Sequence, residues 1–287
     1  MYRLCVYGCH NFSMKDPELS ETEMDEVLNL IQYSFGYNFT CYSRSSMQRR
    51  LQRFMVDAGA NNAFDLKHYL VNTAGGFDYF LSRLTVNVTE MFRDPAFFRN
   101  IKEKVLPVLA SYPTIKLWHA GCATGEEVFS MAILLHEAGL LQRTRIYATD
   151  INPVNIDKAK QGILPLHVMK EYTANYINAG GTNDFSTYYT ARYNNVIINK
   201  ELRKNILFSQ HNLVTDGGFN EFQLICCRNV LIYFNRELQN RVIGLLHESL
   251  SKLGFLALGT KESLILSTFQ NHFQPVDQVQ KIFRRVS

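Results

Sequence analysis

The first part of the chain, from residue 18 to about residue 72, has the hydrophobic pattern of short helices. Gly36 and Gly59 are expected to end two of these helices, and Ser20 with Glu23 predicts a capping box at the start of the first. We therefore expect a small all-helical unit over residues 18–76. Its apolar residues recur three or four positions apart, as in Met24, Val27, Leu28 and Ile31, and again in Met47, Leu51 and Phe54.

The helical pattern continues from residue 77 to about residue 109. Asp94-Pro95 is expected to interrupt it, and Pro107 and Pro113 are expected to end it, because proline cannot continue a helix in the ordinary way. Residues 77–113 are therefore predicted to form a helical connector.

After Pro113 the pattern changes to short apolar runs that alternate with helical segments, which is typical of a doubly wound parallel sheet. Strands are predicted over residues 115–119, 146–149, 222–226 and 255–258, with a closing edge strand over residues 281–286. Helices are predicted over residues 126–138 and 236–252, and another begins at Pro153, since proline is tolerated at the first helical position.

One stretch departs from this alternation. Residues 176–208 contain Gly180-Gly181, several tyrosines and the run V-I-I, which predict a small antiparallel β insertion. The predicted fold class is therefore α/β: a Rossmann-like doubly wound sheet over residues 114–287 with this β insertion, preceded by the small N-terminal all-helical domain and by an extension over residues 1–17.

Composition limits the class of protein. Of the 287 residues, 46% are hydrophobic and 20% are charged, which is the balance of a soluble globular protein. No apolar run is long enough to cross a bilayer and the first residues do not resemble a signal peptide, so we expect a cytoplasmic location. Cys5, Cys9 and His10 have no second Cys/His pair at a finger-like spacing, so no metal site is expected, and a monomer is assumed.

The net charge of +4 is too small to indicate nucleic acid by itself. Residues 28–55 nevertheless contain no Asp, Glu or Lys but do contain Arg44, Arg49, Arg50 and Arg53. On one helix Arg49 and Arg53 lie four residues apart with Arg50 beside them, so these three can form a cationic strip. Two interpretations stay open: a solvated helix face, or a docking surface for an acidic partner.

The segment G-C-A-T-G-E-E, residues 121–127, lies where a predicted strand turns into a helix. Gly121 and Gly125 allow a tight turn and the close approach of a ligand. Glu126 and Glu127 disfavour phosphate at this helix start, so a cationic ligand such as S-adenosylmethionine fits better. Asp150 ends the next strand and can accept both hydroxyls of a ribose, or alternatively can cap the helix that follows.

Four motifs together resemble those of CheR-type methyltransferases. They are R-L-T-V-N-V-T-E-M-F-R-D at residues 83–94, G-C-A-T-G-E-E at residues 121–127, H-N-L at residues 211–213, and C-R-N-V-L-I-Y-F at residues 227–234. They occur in the order of that family, and the similarity runs from about residue 18 to residue 287. The family esterifies glutamate side chains of chemoreceptors with the methyl group of S-adenosylmethionine, so the resemblance implies this activity and a receptor's cytoplasmic methylation region as partner.

The resemblance also implies roles for particular residues. Arg93 and Tyr233 would face the incoming glutamate, and the arginines at 44, 49, 50 and 53 would meet the receptor. A glutamate with a pKa near ~4.3 is ionised at neutral pH, so positioning it against the methyl group needs no general base. The residues implied to surround the cofactor are Asn87, Thr89, Arg93, Glu126, Asp150, Asn212, Leu213, Arg228 and Asn229.

Two departures from the family pattern are visible. Met91-Phe92 replaces the more common aromatic pair before the arginine, a change in volume that the site is expected to tolerate without altered chemistry. The β insertion is longer and more aromatic than in members that bind a receptor's C-terminal peptide, which leaves such tethering open. Two other functions remain as alternatives: a catalytically silent CheR-like signalling module, and a methyltransferase for small molecules or nucleic acid on the same fold.

Overall fold

The computed structural model describes residues 18–85, 89–265 and 267–287. Its N-terminal part is the predicted helical unit, and the predicted ends are confirmed: Gly36 and Gly59 follow two helices with positive φ angles of 77° and 68°. Ser20 and Glu23 form the predicted capping box. The helices are α1 (Glu21–Phe35), α2 (Arg44–Ala58), α3 (Ala63–Asn72) and α4 (Gly76–Leu84).

The helical unit extends further than the predicted boundary at residue 76. Phe77, Phe80, Leu81 and Leu84 of α4 are buried in the same apolar core as the inner faces of α1 and α2. The connector that follows consists of α5 (Pro95–Asn100), a π-helical turn (Ile101–Val105) and α6 (Leu106–Leu109). Pro107 lies within α6 instead of ending the helix before it.

The rest of the chain is built on a seven-stranded sheet of order β6-β2-β1-β7-β8-β10-β9. The five strands from β6 to β8 are parallel to one another, and β10 runs antiparallel to both of its neighbours. The strands are β1 (Ile115–Ala120), β2 (Thr144–Asp150), β6 (Ile206–Gln210), β7 (Phe222–Cys227), β8 (Leu250–Leu258), β9 (Phe273–Asp277) and β10 (Ile282–Arg285).

Helices cover both faces of this sheet, as the doubly wound prediction requires. Alternate residues of β1 go to different cores: Ile115 and Leu117 join one apolar cluster, and Trp118 and Ala120 join another. The helices of this domain are α7 (Glu126–Glu137), α8 (Pro153–Gln161), α9 (Met169–Asn178), α10 (Lys200–Arg203) and α11 (Arg236–Glu248).

The strand predicted over residues 281–286 is present, but the prediction that it forms the edge of the sheet was wrong. β10 lies between β8 and β9, and β9, which the pattern did not predict, forms the edge. Pro275 in β9 is consistent with this position, because a proline lacks the N–H that an inner strand needs. The helix predicted over residues 236–252 also ends early, at Glu248, because the next residues pair with β7: Phe222 lies opposite Leu250.

The antiparallel insertion is present as a three-stranded sheet of order β3-β5-β4. Its first strand precedes the predicted range, and residues 206–208 at the end of that range belong to β6 of the main sheet. The strands are β3 (Ile163–Pro165), β4 (Tyr189–Arg192) and β5 (Asn195–Ile198).

The cap of α1 gives a stability prediction. Ser20→Ala removes a side-chain oxygen that accepts the Glu23 N–H, so the free energy of unfolding should fall by about 1 kcal/mol. Urea denaturation followed by circular dichroism measures this change. Ser43→Ala is the matched control, because Ser43 occupies the same position before α2 but makes no side-chain cap hydrogen bond. An equal loss in both variants would contradict the assignment.

Candidate active site

The turn after β1 requires its two glycines. Gly121 has a φ of 81°, and a Cβ there would lie 2.4 Å from Cγ2 of Val230. Gly125 has a φ of 97°, and a Cβ would lie 3.1 Å from the Phe129 ring. The backbone N–H groups of Gly121 and Cys122 both donate to the carbonyl of Thr149, which fixes the turn against the end of β2. The turn therefore packs too closely for any other residue at position 121.

Asp150 at the end of β2 braces the same turn. One carboxylate oxygen accepts the N–H of Ala123 at 2.9 Å, and the other accepts the N–H of Asn152 at 2.9 Å. Burial raises the pKa of Asp150, while these N–H groups oppose the rise. The cap of α8 is Asn152, whose side chain accepts the N–H of Val154. The alternative prediction, that Asp150 caps the helix that follows, is therefore wrong.

Arg228, directly after β7, is the charged centre of the site. Its side chain is 1% exposed, with Nη1 2.8 Å from Oε2 of Glu127 and Nη2 2.6 Å from Oδ2 of Asp94. The guanidinium also lies 3.9 Å from the centre of the Phe97 ring. Arg228 thus joins the start of α7 to the segment that precedes α5.

The two glutamates at the start of α7 have different surroundings. Glu127 pairs with Arg228 and with His119, whose Nδ1 lies 3.0 Å away. Burial opposes ionisation of Glu127, but Arg228 and then His119 outweigh it and lower its pKa to about 2. Glu126 is buried, its carboxylate accepts the hydroxyl of Thr124, and burial raises its pKa. Glu127 lines the cavity beside Arg93, whereas Glu126 lines neither of the two cavities described below.

The two residues before Arg93 are anchored to α7 and to α9. The N–H of Phe92 donates to Oγ of buried Ser130 at 2.8 Å, and the carbonyl of Met91 accepts from Asn175. Met91 and Phe92 are both fully buried, so the departure from the common aromatic pair keeps the packing role. Asn87, the first residue of the predicted motif, lies outside the described residues.

Two cavities meet across the glycine turn, at the point where the strand order reverses between β1 and β7. The first is about 740 Å³ and holds Asp150, Asn212 and Leu213 in its lining. The second is about 610 Å³ and is lined by Thr89, Arg93 and Arg228. The residues that line both are Gly121, Ala123, Asn229 and Tyr233. The structure therefore brings together the predicted cofactor residues Thr89, Arg93, Asp150, Asn212, Leu213, Arg228 and Asn229.

Tyr233 also borders a third cavity, a groove of about 1380 Å³ that we call the arginine groove. Arg49, Arg50, Arg53 and Arg83 line it. Arg44 does not line this groove, because its guanidinium pairs with Asp25 and lies 3.7 Å from Glu21.

Arg50 differs from Arg49 and Arg53 because it is partly buried against Tyr233. Its guanidinium lies 4.4 Å from the centre of the Tyr233 ring, donates to the carbonyl of Leu84, and lines the first cavity as well as the groove. Burial lowers its pKa. Arg50 therefore lies between the first cavity and the arginine groove.

Several residues of the site were missed from the sequence. Arg83 has the same charge as the predicted arginines but lies on another helix, so only packing brings it to the groove. Glu90 lines the second cavity, and burial followed by the charge of Glu171 raises its pKa. Glu262 had no motif signal, although its carboxylate binds the backbone of the loop that follows β7.

Within the described part of the chain, one cluster offers atoms that could hold a metal ion. Atoms of His119, Glu127 and Cys226 lie within 4.8 Å of one another. Glu127 is already paired with Arg228, and burial raises the pKa of the Cys226 thiol well above its ordinary value, which disfavours the thiolate that binds metals. Cys5, Cys9 and His10 lie outside the described residues.

Together, the doubly wound sheet, the glycine turn after β1 and an acid at the end of β2 define a nucleotide-type cofactor site. Residues 22–85 match the family described as "CheR methyltransferase, all-alpha domain", and residues 87–282 match "CheR methyltransferase, SAM binding domain". The chain belongs to the CheR methyltransferase family and is an S-adenosylmethionine-dependent methyltransferase.

Individual proteins agree with this assignment. The Pseudomonas putida protein Cher3, whose name marks its methyltransferase activity as provisional, is 47% identical over 93% of this chain and 97% of its own length. A chemotaxis protein methyltransferase from Listeria monocytogenes is 29% identical over 85% of this chain and 93% of its own. The solved N-methyltransferase NodS from Bradyrhizobium japonicum is 14% identical over 78% of this chain and 98% of its own, with a TM-score of 0.39 from which we conclude nothing.

The site fits S-adenosylmethionine. Gly121 lines both cavities without a side chain, Asp150 presents a carboxylate in the first, and Glu90, Glu127, Arg93 and Arg228 place charges of both signs in the second. The methionine part of the cofactor, which carries a cationic sulfonium, an ammonium group and a carboxylate, suits such surroundings. Among the described residues, no helix has the length and apolar character needed to cross a membrane.

The lowered pKa of Glu127 predicts a pH dependence of stability. Its ionised form stabilises the fold above the ordinary pKa of 4.5, and this contribution is lost as the pH falls toward about 2. Glu127→Gln should therefore lower the free energy of unfolding by about 3 kcal/mol at pH 7, since it leaves the buried Arg228 with one partner fewer. Urea denaturation at pH 7, 5, 4 and 3 should show the difference from the parent protein shrinking below pH 4.5.

The control for this experiment is Glu201→Gln, which removes an exposed ion pair with Lys204. It should change stability little at any of these pH values. A constant difference between the Glu127 variant and the parent down to pH 3 would contradict the assigned cause.

Proposed function

We propose that this protein is a protein-glutamate O-methyltransferase that methylates glutamate side chains in the cytoplasmic methylation region of chemoreceptors. The observation that carries the proposal is the position of Tyr233, which borders the first cavity, the second cavity and the arginine groove. An acidic partner bound in the groove would therefore have a carboxylate close to the place where the cofactor binds. The names of the relatives, chemotaxis protein methyltransferases among them, support this substrate class.

S-adenosylmethionine supplies an electrophilic methyl group. In the proposed arrangement Asp150 accepts hydrogen bonds from the ribose hydroxyls, Asn212 and Leu213 lie on the adenine side, and Asn229 spans both cavities. The predicted roles of Asn87 and Glu126 in cofactor binding stay predictions.

Arg93 and Tyr233 orient the acceptor. A guanidinium is a planar fork that holds a carboxylate in one orientation, and the tyrosine hydroxyl can donate to the same carboxylate. Neither has to take up a proton, because the acceptor glutamate is already ionised at neutral pH. Catalysis then comes from holding the carboxylate in line with the methyl group, in a cavity whose wall is fixed by the ion pairs of Arg228.

The arginine groove is proposed to receive the acidic helices of the receptor. Arg49 and Arg53 are exposed, so their attraction for carboxylates is long-ranged and screened by salt. We propose that the protein acts in the cytoplasm as a monomer.

The reaction itself is testable with labelled S-adenosylmethionine and a purified cytoplasmic fragment of a chemoreceptor. Label should appear in the receptor and be released as methanol by base, which is diagnostic of a glutamyl ester. Arg93→Lys keeps the charge but loses the fork, so turnover should fall about 10-fold to 100-fold while affinity for S-adenosylhomocysteine changes less. Base-stable label, or cofactor binding without transfer, would instead support the nucleic-acid or small-molecule enzyme or the silent module.

The groove gives a separate prediction. Replacing both Arg49 and Arg53 by Ala should raise KM for the receptor roughly 3-fold to 10-fold and flatten its dependence on salt, with S-adenosylhomocysteine affinity unchanged. Steady-state kinetics between 50 and 300 mM salt, a range of roughly 14 to 6 Å in Debye length, measures both effects.

Arg44→Ala is the matched control, since Arg44 lies on the same helix but is paired with Asp25 outside the groove. Arg50 is left intact because it lines the first cavity. If the control raises KM as much per charge removed as the double variant does, the arginines act only through net charge and the groove is not the docking surface.

A further inference from the structure

The loop after β7 carries three of the residues to which the proposed function gives roles, Arg228, Asn229 and Tyr233. Its backbone is held by side chains that lie outside it. Glu262 is 4% exposed, and its carboxylate accepts the N–H groups of Asn229 at 3.0 Å, Val230 at 2.8 Å and Leu231 at 2.7 Å. It also accepts the N–H of Gly259.

Four N–H donors use the full capacity of this carboxylate. One oxygen takes Val230 and Leu231, and the other takes Asn229 and Gly259. Successive N–H groups can converge on one point only where the backbone folds into a concave nest, and Asn229 has the left-handed φ of 61° that such a nest uses. The conformation of Asn229, a residue that lines both halves of the cofactor crevice, therefore depends on an anion at this point.

Glu262 itself is held close to the loop by the end of β8. A Cβ on Gly259 would lie 2.8 Å from Oε2 of Glu262 and 2.9 Å from the backbone nitrogen of Asn229. The two backbone segments approach so closely that no side chain fits between them. Glu262 cannot move away from the loop without losing the N–H of Gly259 as well.

A second side chain holds the other polar groups of the loop. Nε2 of Gln239, on α11, donates to the carbonyl of Leu231 at 3.0 Å and to that of Phe234 at 3.1 Å. Glu262 thus binds the N–H groups at the start of the loop, and Gln239 binds the carbonyls on both sides of Tyr233. We call Glu262 and Gln239 the loop clamp.

We propose that Glu262, assisted by Gln239, is a positioning residue for methyl transfer, setting Asn229 against the cofactor and Tyr233 against the acceptor carboxylate. The clamp touches neither ligand and acts only through the loop backbone. The part of this inference that concerns Tyr233 rests on the proposed function. The part that concerns Asn229 requires only that the cofactor binds in this crevice.

Glutamine cannot replace Glu262. Its amide oxygen can serve one pair of N–H donors, but its NH₂ group would then face the other pair, so two donors lose their acceptor and meet a donor instead. Because the lost bonds include those of Asn229 or of Val230 and Leu231, we expect the loop to shift while the sheet beneath it keeps its pairing.

The test compares Glu262→Gln, Tyr233→Phe and the double variant in the full-length protein. Calorimetry with S-adenosylhomocysteine gives Kd and the number of binding sites, and methylation of a chemoreceptor cytoplasmic fragment gives kcat per binding site. Glu262→Gln should raise Kd about 10-fold and lower kcat about 10-fold, and the double variant should lose little more than the worse of the two single variants.

Glu137→Gln is the matched control. Glu137 is also a largely buried carboxylate, with a side chain that is 9% exposed, but it accepts the hydroxyls of Tyr176 and Tyr188 away from the loop. Its variant should lower the thermal midpoint and leave both Kd and kcat per site unchanged. If Glu262→Gln behaves in the same way, Glu262 is only structural and the inference is overturned.

The remaining outcomes also decide the question. If the fold-losses of kcat in the two single variants multiply in the double variant, the two residues act independently and Glu262 does not act through Tyr233. If Tyr233→Phe leaves kcat unchanged, the proposed role of Tyr233 fails, while a raised Kd in Glu262→Gln still supports positioning of Asn229. Should Glu262→Gln fail to fold, Gln239→Met, which loses only two donors, should raise Kd or lower kcat several-fold, and unchanged values overturn the inference.

Discussion

The structure depends on the burial of one guanidinium. Arg228 is almost completely removed from solvent and, as an arginine, cannot lose its charge, so it requires carboxylates on both sides. Glu127 belongs to the helix after the glycine turn, and Asp94 belongs to the segment that presents Arg93. The cost of burying the guanidinium is offset only when all three segments are in place together. The cofactor crevice is therefore assembled as a unit, with each wall stabilised by the others.

The helical unit contributes directly to this crevice. The N–H of Ser43 donates to the carbonyl of Tyr233, the N–H of Asn235 donates to the carbonyl of Cys41, and Tyr42 forms an isolated antiparallel bridge with Phe234. Arg50 then lies against the ring of Tyr233. The proposed docking surface and the proposed position of the acceptor carboxylate are consequently adjacent, because the segment that leads into α2 is joined by backbone hydrogen bonds to the loop that bears Tyr233.

The candidate site could be predicted to the extent that its chemistry is local. Gly121, Asp150 and Arg228 stand in motifs next to the strand ends that position them, and the structure brings them to one crevice. The choice between Glu126 and Glu127 depended on which direction each side chain takes at the start of α7, and Arg83 reached the groove from a separate helix. Glu262 follows β8, far along the chain from the residues it holds, and nothing in its neighbourhood marked it.

The sequence alone determined the helical unit, its caps at Ser20, Gly36 and Gly59, the alternation of strands and helices, and the residue types of the cofactor site, because these depend on hydrophobic period and on contacts within a few residues. Only the tertiary structure decided that β9 is the edge, that Arg50 lines the first cavity, and that the Glu262 carboxylate binds the backbone of the loop after β7. Those features depend on pairing between segments distant in the chain, where the free energy comes from burial and from satisfied hydrogen bonds that no local pattern records.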